Sequence, residues 1–225
     1  MEEEKRFKVT NNSNVFFLGE GESLPERFTH VPTIVEGIEE SWDGFLSLEV
    51  MKEKQDQVEC NLIDLSTNED ILVQQSKERV KMKDYFDKRT KNSLLYCTEV
   101  YVREMFPDGS RPYPAIFKNN WYITDRPGPL ESIFLGNRGT YGILHDDNPL
   151  GFAWFYVLSG LKRMVLFPPE SESKLKNAFG ELKNIFFDVD IDNDVANKIK
   201  ECNGEVCFVH PKQLVIIPYG WHHQV

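Results

Sequence analysis

Long hydrophobic runs are missing from this sequence. No stretch approaches the ~18 apolar residues that a membrane-spanning helix needs. The opening residues, Met1-Glu2-Glu3-Glu4-Lys5-Arg6, have no apolar stretch of the kind a secretory leader carries. The expectation is an intracellular chain, cytoplasmic or nuclear, with no membrane partner. Positive charge is also short: 26 Lys and Arg against 36 Asp and Glu, a formal net charge of −10. That balance argues against a general nucleic-acid binder, whose affinity comes from neutralising phosphates, and against a polybasic membrane anchor. Cysteine is sparse. Cys60, Cys97, Cys202 and Cys207 form no C-x-x-C pair, which argues against a zinc knuckle. In a reducing compartment they are expected as buried thiols. Gly19-Glu20-Gly21 meets Leu24 where a dinucleotide-binding loop needs its third glycine.

What is present fits a globular protein. The 225 residues are 40% hydrophobic and 28% charged, and a chain of this size buries roughly 70% of its unfolded surface without needing disulfides. Residues 1–24 read as a polar arm and 25–225 as a single domain. Ile38, Trp42, Phe45 and Leu46 at helical spacing predict a helix over 38–51, and Met82, Tyr85 and Phe86 repeat the pattern. Residues 52–79 are weakly patterned, with one short strand near Leu62. After Leu94 short apolar runs alternate with Gly and Pro: Leu94–Tyr96, Ile133–Leu135, Met164–Phe167, Val206–Val209 and Leu214–Ile217. Such punctuation predicts a β-sandwich or barrel, interrupted by one helix over 170–179 with Leu175 and Phe179 inward. Asp188, Asp190, Asp192 and Asp194 resemble a calcium loop, but Asn193 replaces its glycine and Ile199 its glutamate. A solvated loop or edge strand is the expectation there.

Histidine is rare, with five in the chain: His30, His145, His210, His222 and His223. On a strand, His145 and Asp147 share a face. An imidazole from a neighbouring strand, His222 or His223 after the apolar run Leu214–Ile217, would complete two histidines and a carboxylate. That donor set suits non-haem Fe(II), because it leaves coordination positions open. The competing reading is a His-x-Asp triplet that caps a turn. Lys162 heads the run Lys162–Phe167. It either turns inward, where its ammonium needs a carboxylate partner, or extends to water.

Together, His145-x-Asp147, Gly160-Leu161-Lys162-Arg163, Leu166-Phe167-Pro168-Pro169 and Ile217-Pro218-Tyr219-Gly220-Trp221-His222-His223-Gln224-Val225 resemble the Jumonji-C (JmjC) oxygenases. The lead-in Phe134–Thr140 and the seventeen-residue spacing from His145 to Lys162 are similar to the branch of small JmjC protein hydroxylases. The resemblance covers residues 25–225 and is strong from 133 onward. It implies a mostly β fold with helices: a double-stranded β-helix (cupin or jelly-roll) barrel, with its core over about 111–225, after a mixed N-terminal region. It also implies Fe(2+), 2-oxoglutarate and O2 as cofactor and cosubstrates. His145, Asp147 and, five positions after the strand-ending Pro218, His223 would be the metal ligands and catalytic centre, with His222 the fallback. Lys162 would bind the distal carboxylate of 2-oxoglutarate, with Tyr96 beside it.

Three departures stand out. Many relatives place a Thr three residues before the first ligand. Here that position is Gly142, and the nearest threonine, Thr140, becomes the cosubstrate-binding candidate. Phe155 stands where a small polar residue is common. Family members continue with another strand beyond Val225, so the last barrel strand is expected to be missing. The activity implied is hydroxylation of a protein or peptide side chain, lysyl favoured, with release of succinate and CO2; demethylation is the variant outcome. The alternatives are an inactive module that binds a protein, and a cupin using another metal without 2-oxoglutarate.

Overall fold

The computed structural model describes residues 16–18, 30–36, 46–108, 131–147, 152–182, 185–188 and 190–225. The chain divides into two compact units: residues 1–39 with 141–225, and residues 40–140. The first unit opens with β1 (Phe16–Leu18), which runs parallel to β2 (Thr33–Val35).

The second unit begins with α1 (Leu48–Lys54). Ser47 starts it, its hydroxyl accepting the Val50 N–H at 3.3 Å. Glu49 in the first turn and Lys52 and Lys54 in the last complement the helix dipole. The described part of the helix expected over 38–51 starts at Leu48, with Ser47 as its cap. Trp42 and Phe45 lie outside the described residues. The chain continues through β3 (Glu59–Asp64), α2 (Ile71–Gln75), β4 (Val80–Lys81), α3 (Met82–Lys88), β5 (Leu95–Tyr101), α4 (Val102–Met105) and β6 (Ser132–Gly136). The strands form an antiparallel sheet in the order β4-β3-β5-β6. Met51, Cys60, Ile63, Met82, Tyr85 and Cys97 are buried in this unit. Helix α2 gave no periodic signal because Leu72 and Val73 stay half exposed; Asp70 makes it by accepting the Leu72 and Val73 N–H groups.

A bulge interrupts β5 between Cys97 and Val100, and Glu99 takes a left-handed φ of 54°. Such a backbone costs of order 1–3 kcal/mol and needs neighbours that impose it. Here Arg79 donates to the carbonyls of Glu99 (2.9 Å) and Glu59 (2.6 Å) and to the Glu104 carboxylate (2.9 Å). The Glu99 carboxylate accepts from Asn61 Nδ2 at 2.8 Å and from the Tyr101 hydroxyl at 3.2 Å.

The first unit resumes with β7 (Ala153–Tyr156), β8 (Lys162–Phe167), a 3₁₀ turn (Pro169–Ser171), α5 (Glu172–Phe179), α6 (Asn193–Glu201), β9 (Glu205–Val209), β10 (Leu214–Ile217) and β11 (His222–Gln224). Two sheets result, in the orders β1-β2-β10-β7 and β11-β8-β9. Residues from both sheets fill one core: Ile34, Val215 and Ile217 with Met164, Leu166, Cys207, Val209 and Trp221. The outward residues Val165 and Phe167 meet Leu175 of α5, Ile199 and Cys202 near α6, and Ile185 and Phe187. Met164, Val165, Leu166 and Phe167 are all fully buried. Strand β8 therefore reads as a continuous apolar run rather than an alternation. Each of these side chains contributes roughly 1.5–3 kcal/mol of burial, which makes β8 a firm platform.

The described strands and helices fit the mostly β, helix-decorated jelly-roll fold that the family resemblance implied. The solvated loop expected over Asp188–Asp194 is found at Asp188, Asp190 and Asp192, but the chain turns helical earlier than expected: Asp192 is the N-cap of α6, accepting the Val195 N–H at 2.8 Å, and Asp194 lies in the helix. All four cysteines are free and buried. No helix among the described residues is long and apolar enough to cross a membrane.

Candidate metal centre

Local backbone chemistry aims the site. Strand β10 ends at Ile217, and the Trp221 N–H closes a turn onto the Pro218 carbonyl at 3.3 Å. Gly220 sits third in that turn with φ +78°, the position where a type II turn requires a left-handed residue. The turn delivers β11 antiparallel to β8, with His222 opposite Phe167, His223 opposite Leu166 and Gln224 opposite Val165. Since alternate residues face opposite ways, His223 shares the inner face of Leu166 and His222 the outer face of Phe167. On its other side β11 meets His145 through a two-way bridge: His145 N–H to the His223 carbonyl at 3.1 Å, and the reverse at 2.7 Å. The His145–Asp147 segment is this single bridge followed by irregular chain, not the regular strand expected.

His145, Asp147 and His223 converge. One potential ligand atom from each lies within 4.8 Å of the others. The closest Asp147 oxygens are 3.6 Å from His145 Nε2 and 3.4 Å from His223 Nε2. The two imidazole centroids are 4.4 Å apart. Both Nδ1 atoms are committed: His145 Nδ1 lies 2.8 Å from the Ile143 carbonyl, and His223 Nδ1 lies 3.1 Å from the Trp221 carbonyl. A carbonyl only accepts, so these contacts place the proton on Nδ1 and leave each Nε2 lone pair directed at the shared space. No sequence signal could have located Ile143 and Trp221 in this role, because every residue carries a carbonyl.

The electrostatics follow from burial and pairing. The His223 side chain is 6% exposed; burial, then repulsion from His145, push its pKa below the ordinary imidazole value. Burial also works to lower His145, but the Asp147 carboxylate and the Ile143 carbonyl outweigh it and raise the pKa. His145 in turn holds Asp147 below the usual carboxylate range. Asp147 is half exposed, so the site opens on one side.

Lys162 lies opposite Val209 on β8. It shares the inner face with Met164 and Leu166, and sits roughly 13 Å along the strand from Leu166 at the usual rise per residue. Burial lowers its ammonium pKa. The inward alternative is the one found. His222 faces away from the triad, 8% exposed, with its Nδ1 buried and unpartnered. Phe155 packs against the inner core opposite Val215. Gly142 donates its N–H to the Val225 carbonyl at 3.0 Å, and a Cβ there would meet nothing within 4 Å. Tyr96 and Thr140 belong to the second unit. Tyr96 is buried on β5 opposite Ile63 and Gly136, its ring 6.2 Å from that of Phe134, and burial raises its phenol pKa. The Thr140 hydroxyl donates to the Asn137 carbonyl at 2.9 Å, closing its own turn.

Comparison with known proteins adds to this geometry. Residues 6–225 match the model of a cupin-like domain. Among curated proteins, the chain is 26% identical over 147 residues to a Gallus gallus protein named 2-oxoglutarate and iron-dependent oxygenase JMJD4, covering 61% of this chain and 34% of the relative. It is 32% identical over 121 residues to the Mus musculus protein of the same name, covering 50% and 28%. An Arabidopsis thaliana protein named arginine-specific demethylase JMJ20 is 23% identical over 155 residues, covering 59% and 33%. The chain thus spans about a third of the length of these relatives. The names carried by the relatives bear out the resemblance to JmjC oxygenases.

Proposed function

Because this chain belongs to the cupin-like domain family, we propose that it is an Fe(II)- and 2-oxoglutarate-dependent oxygenase that hydroxylates a protein side chain, lysyl favoured. The observation that carries the proposal is the convergence of His145, Asp147 and His223, with both histidine Nε2 atoms turned toward Asp147 and both Nδ1 atoms held by backbone carbonyls. The donor set fits a ferrous ion. One ligand atom from each residue lies within 4.8 Å of the others, with Asp147 oxygens 3.4 and 3.6 Å from the imidazole nitrogens, close enough for one ion to be held by all three. Two imidazoles and one carboxylate would hold the ion and leave coordination positions for cosubstrate and oxygen.

When bound, iron with 2-oxoglutarate and O2 supplies an oxidation in which one oxygen atom enters a substrate C–H bond, the other enters succinate, and CO2 leaves. The chain's own residues do the rest. His145 and His223 are held in the ligand tautomer by the Ile143 and Trp221 carbonyls. Asp147 supplies negative charge to the ion. Lys162, on the inner face of β8, offers its ammonium to the far carboxylate of the diacid. The apolar wall of Met164, Leu166 and Phe155 excludes water from that side. The names of the relatives include an oxygenase and an arginine-specific demethylase, so the product decides the reaction type: hydroxyl retained on carbon, or a methyl lost from nitrogen.

The test is succinate formation from 2-oxoglutarate with a peptide library, with and without ferrous iron. Expected is iron-dependent turnover that His145→Ala reduces by at least about 10³-fold, as removal of a member of a catalytic set does. Iron-independent turnover, or a His145→Ala variant as active as the wild type, overturns the proposal. Phe155 and Gly142 favour a second reading, a protein-binding module without turnover, since neither offers a side-chain hydrogen bond to a cosubstrate. Metal uptake without succinate formation, with retained peptide binding, would establish it.

A further inference from the structure

We propose that Gln224 is a positioning residue for His223, and that the segment 185–188 is the brace it grips; this rests on the metal reading above. Strand β11 is three residues long, paired with β8 on one side and with the single residue His145 on the other. A strand so short has few ladder hydrogen bonds to hold a ligand imidazole still, and a site of this kind needs its donors fixed within about 0.5 Å. Gln224 supplies what the ladder lacks. It is 2% exposed. Its Oε1 accepts the Phe187 N–H at 2.9 Å and its Nε2 donates to the Phe187 carbonyl at 3.0 Å, so one side-chain amide satisfies both backbone groups of one residue.

The segment it grips is itself anchored. Ile185 and Phe187 are buried at 3% and 2% exposure against Val165, Phe167 and Leu175. Arg163 donates to the same Phe187 carbonyl at 2.8 Å and also to the Asp188 carbonyl. A pattern emerges from strand alternation. His223 and Lys162 face inward, and the residue after each, Gln224 and Arg163, faces outward and holds 187–188. Both inward-facing residues are thereby steadied from behind by one segment. Groups that fix a ligand's orientation from outside the coordination typically contribute 10–100-fold to metal affinity; Gln224 would act through the β11 backbone it shares with His223, not through the imidazole.

The experiment titrates the full chain with cobalt(II) as the probe ion, following its visible absorption. Gln224→Met keeps the volume and removes both hydrogen bonds. Phe187→Ala keeps both hydrogen bonds and removes packing. Expected is a 10–100-fold weaker cobalt affinity for Gln224→Met and a smaller loss for Phe187→Ala, which loosens the brace but keeps the hydrogen bonds, although Phe187→Ala loses more thermal stability. In the wild-type chain, cobalt should also slow hydrogen exchange at the Phe187 amide, a result that needs no variant to fold. Wild-type affinity in Gln224→Met, or a Phe187 amide indifferent to cobalt, overturns the brace and leaves the metal reading standing. A wild-type chain that takes up no cobalt overturns both.

Discussion

Three glycines separate the factors that shape the site. Gly142 has no left-handed φ, and a Cβ there would meet nothing within 4 Å. Gly160 has φ +82° and equally open space. Gly220 has φ +78°, and its Cβ would lie 3.2 Å from Pro169 Cγ, two residues before His222. A Cβ in the left-handed region costs about 1–2 kcal/mol. Gly160→Ala should therefore lose about 1–2 kcal/mol and Gly220→Ala somewhat more, because Pro169 must also yield. Gly142→Ala should stay within about 0.5 kcal/mol. At about 2–4 °C per kcal/mol for a chain of this size, the first two shift Tm down by roughly 2–8 °C. Only Gly220→Ala should also weaken cobalt(II) uptake, since its turn sets the entry of β11. Calorimetric melts and cobalt titrations read both effects. Equal Tm losses for Gly142→Ala and Gly220→Ala, or wild-type cobalt affinity in Gly220→Ala, would refute the reasoning.

Other outcomes follow from the same coordinates. His223→Leu should abolish metal uptake. His222→Leu removes the buried, unpartnered Nδ1 and should keep full metal stoichiometry while gaining up to about 1 kcal/mol in a denaturant melt. Metal binding requires neutral imidazoles, so protons compete with the ion. Because Asp147 raises His145 above its ordinary 6.5, affinity should start to fall at a pH above that value and fall more steeply once His223, which titrates below 6.5, also protonates. Cobalt titrations across this range test the order. In the metal-free chain the two histidines act oppositely on stability. The His145 contribution is full below 6.5 and is lost as pH rises through its raised folded pKa. The His223 contribution is present above 6.5 and is lost as pH falls through its depressed folded pKa. A melt series that shows only an alkaline loss would contradict the assignment for His223.

Much of the β half was legible because its strands are short apolar runs between Gly and Pro. Leu214–Ile217 matches β10 residue for residue, and Met164–Phe167 misses only the two polar residues at the head of β8. Helix α5 was legible from the Pro-Pro entry and the inward Leu175. Helix α6 was not. Its carboxylates alternate with apolar residues like a strand, and only the Asp192 cap, a contact between a side chain and a backbone N–H, reveals the helix. Strand β11 was hidden for a related reason. Its His-His-Gln sequence has no apolar member, and its burial comes from what packs on it.

The residue types themselves determined the donor chemistry: two imidazoles and a carboxylate on a scaffold of short strands, with a lysine heading the strand that pairs with the second imidazole. Folding decided which histidine turns inward. One residue of register on β11 separates the inner face from the outer, and pairing with β8 sets that register. Folding also decided which nitrogen of each imidazole turns toward Asp147, because that depends on carbonyls brought near in space. These are differences of orientation, and an orientation exists only once the chain has closed on itself.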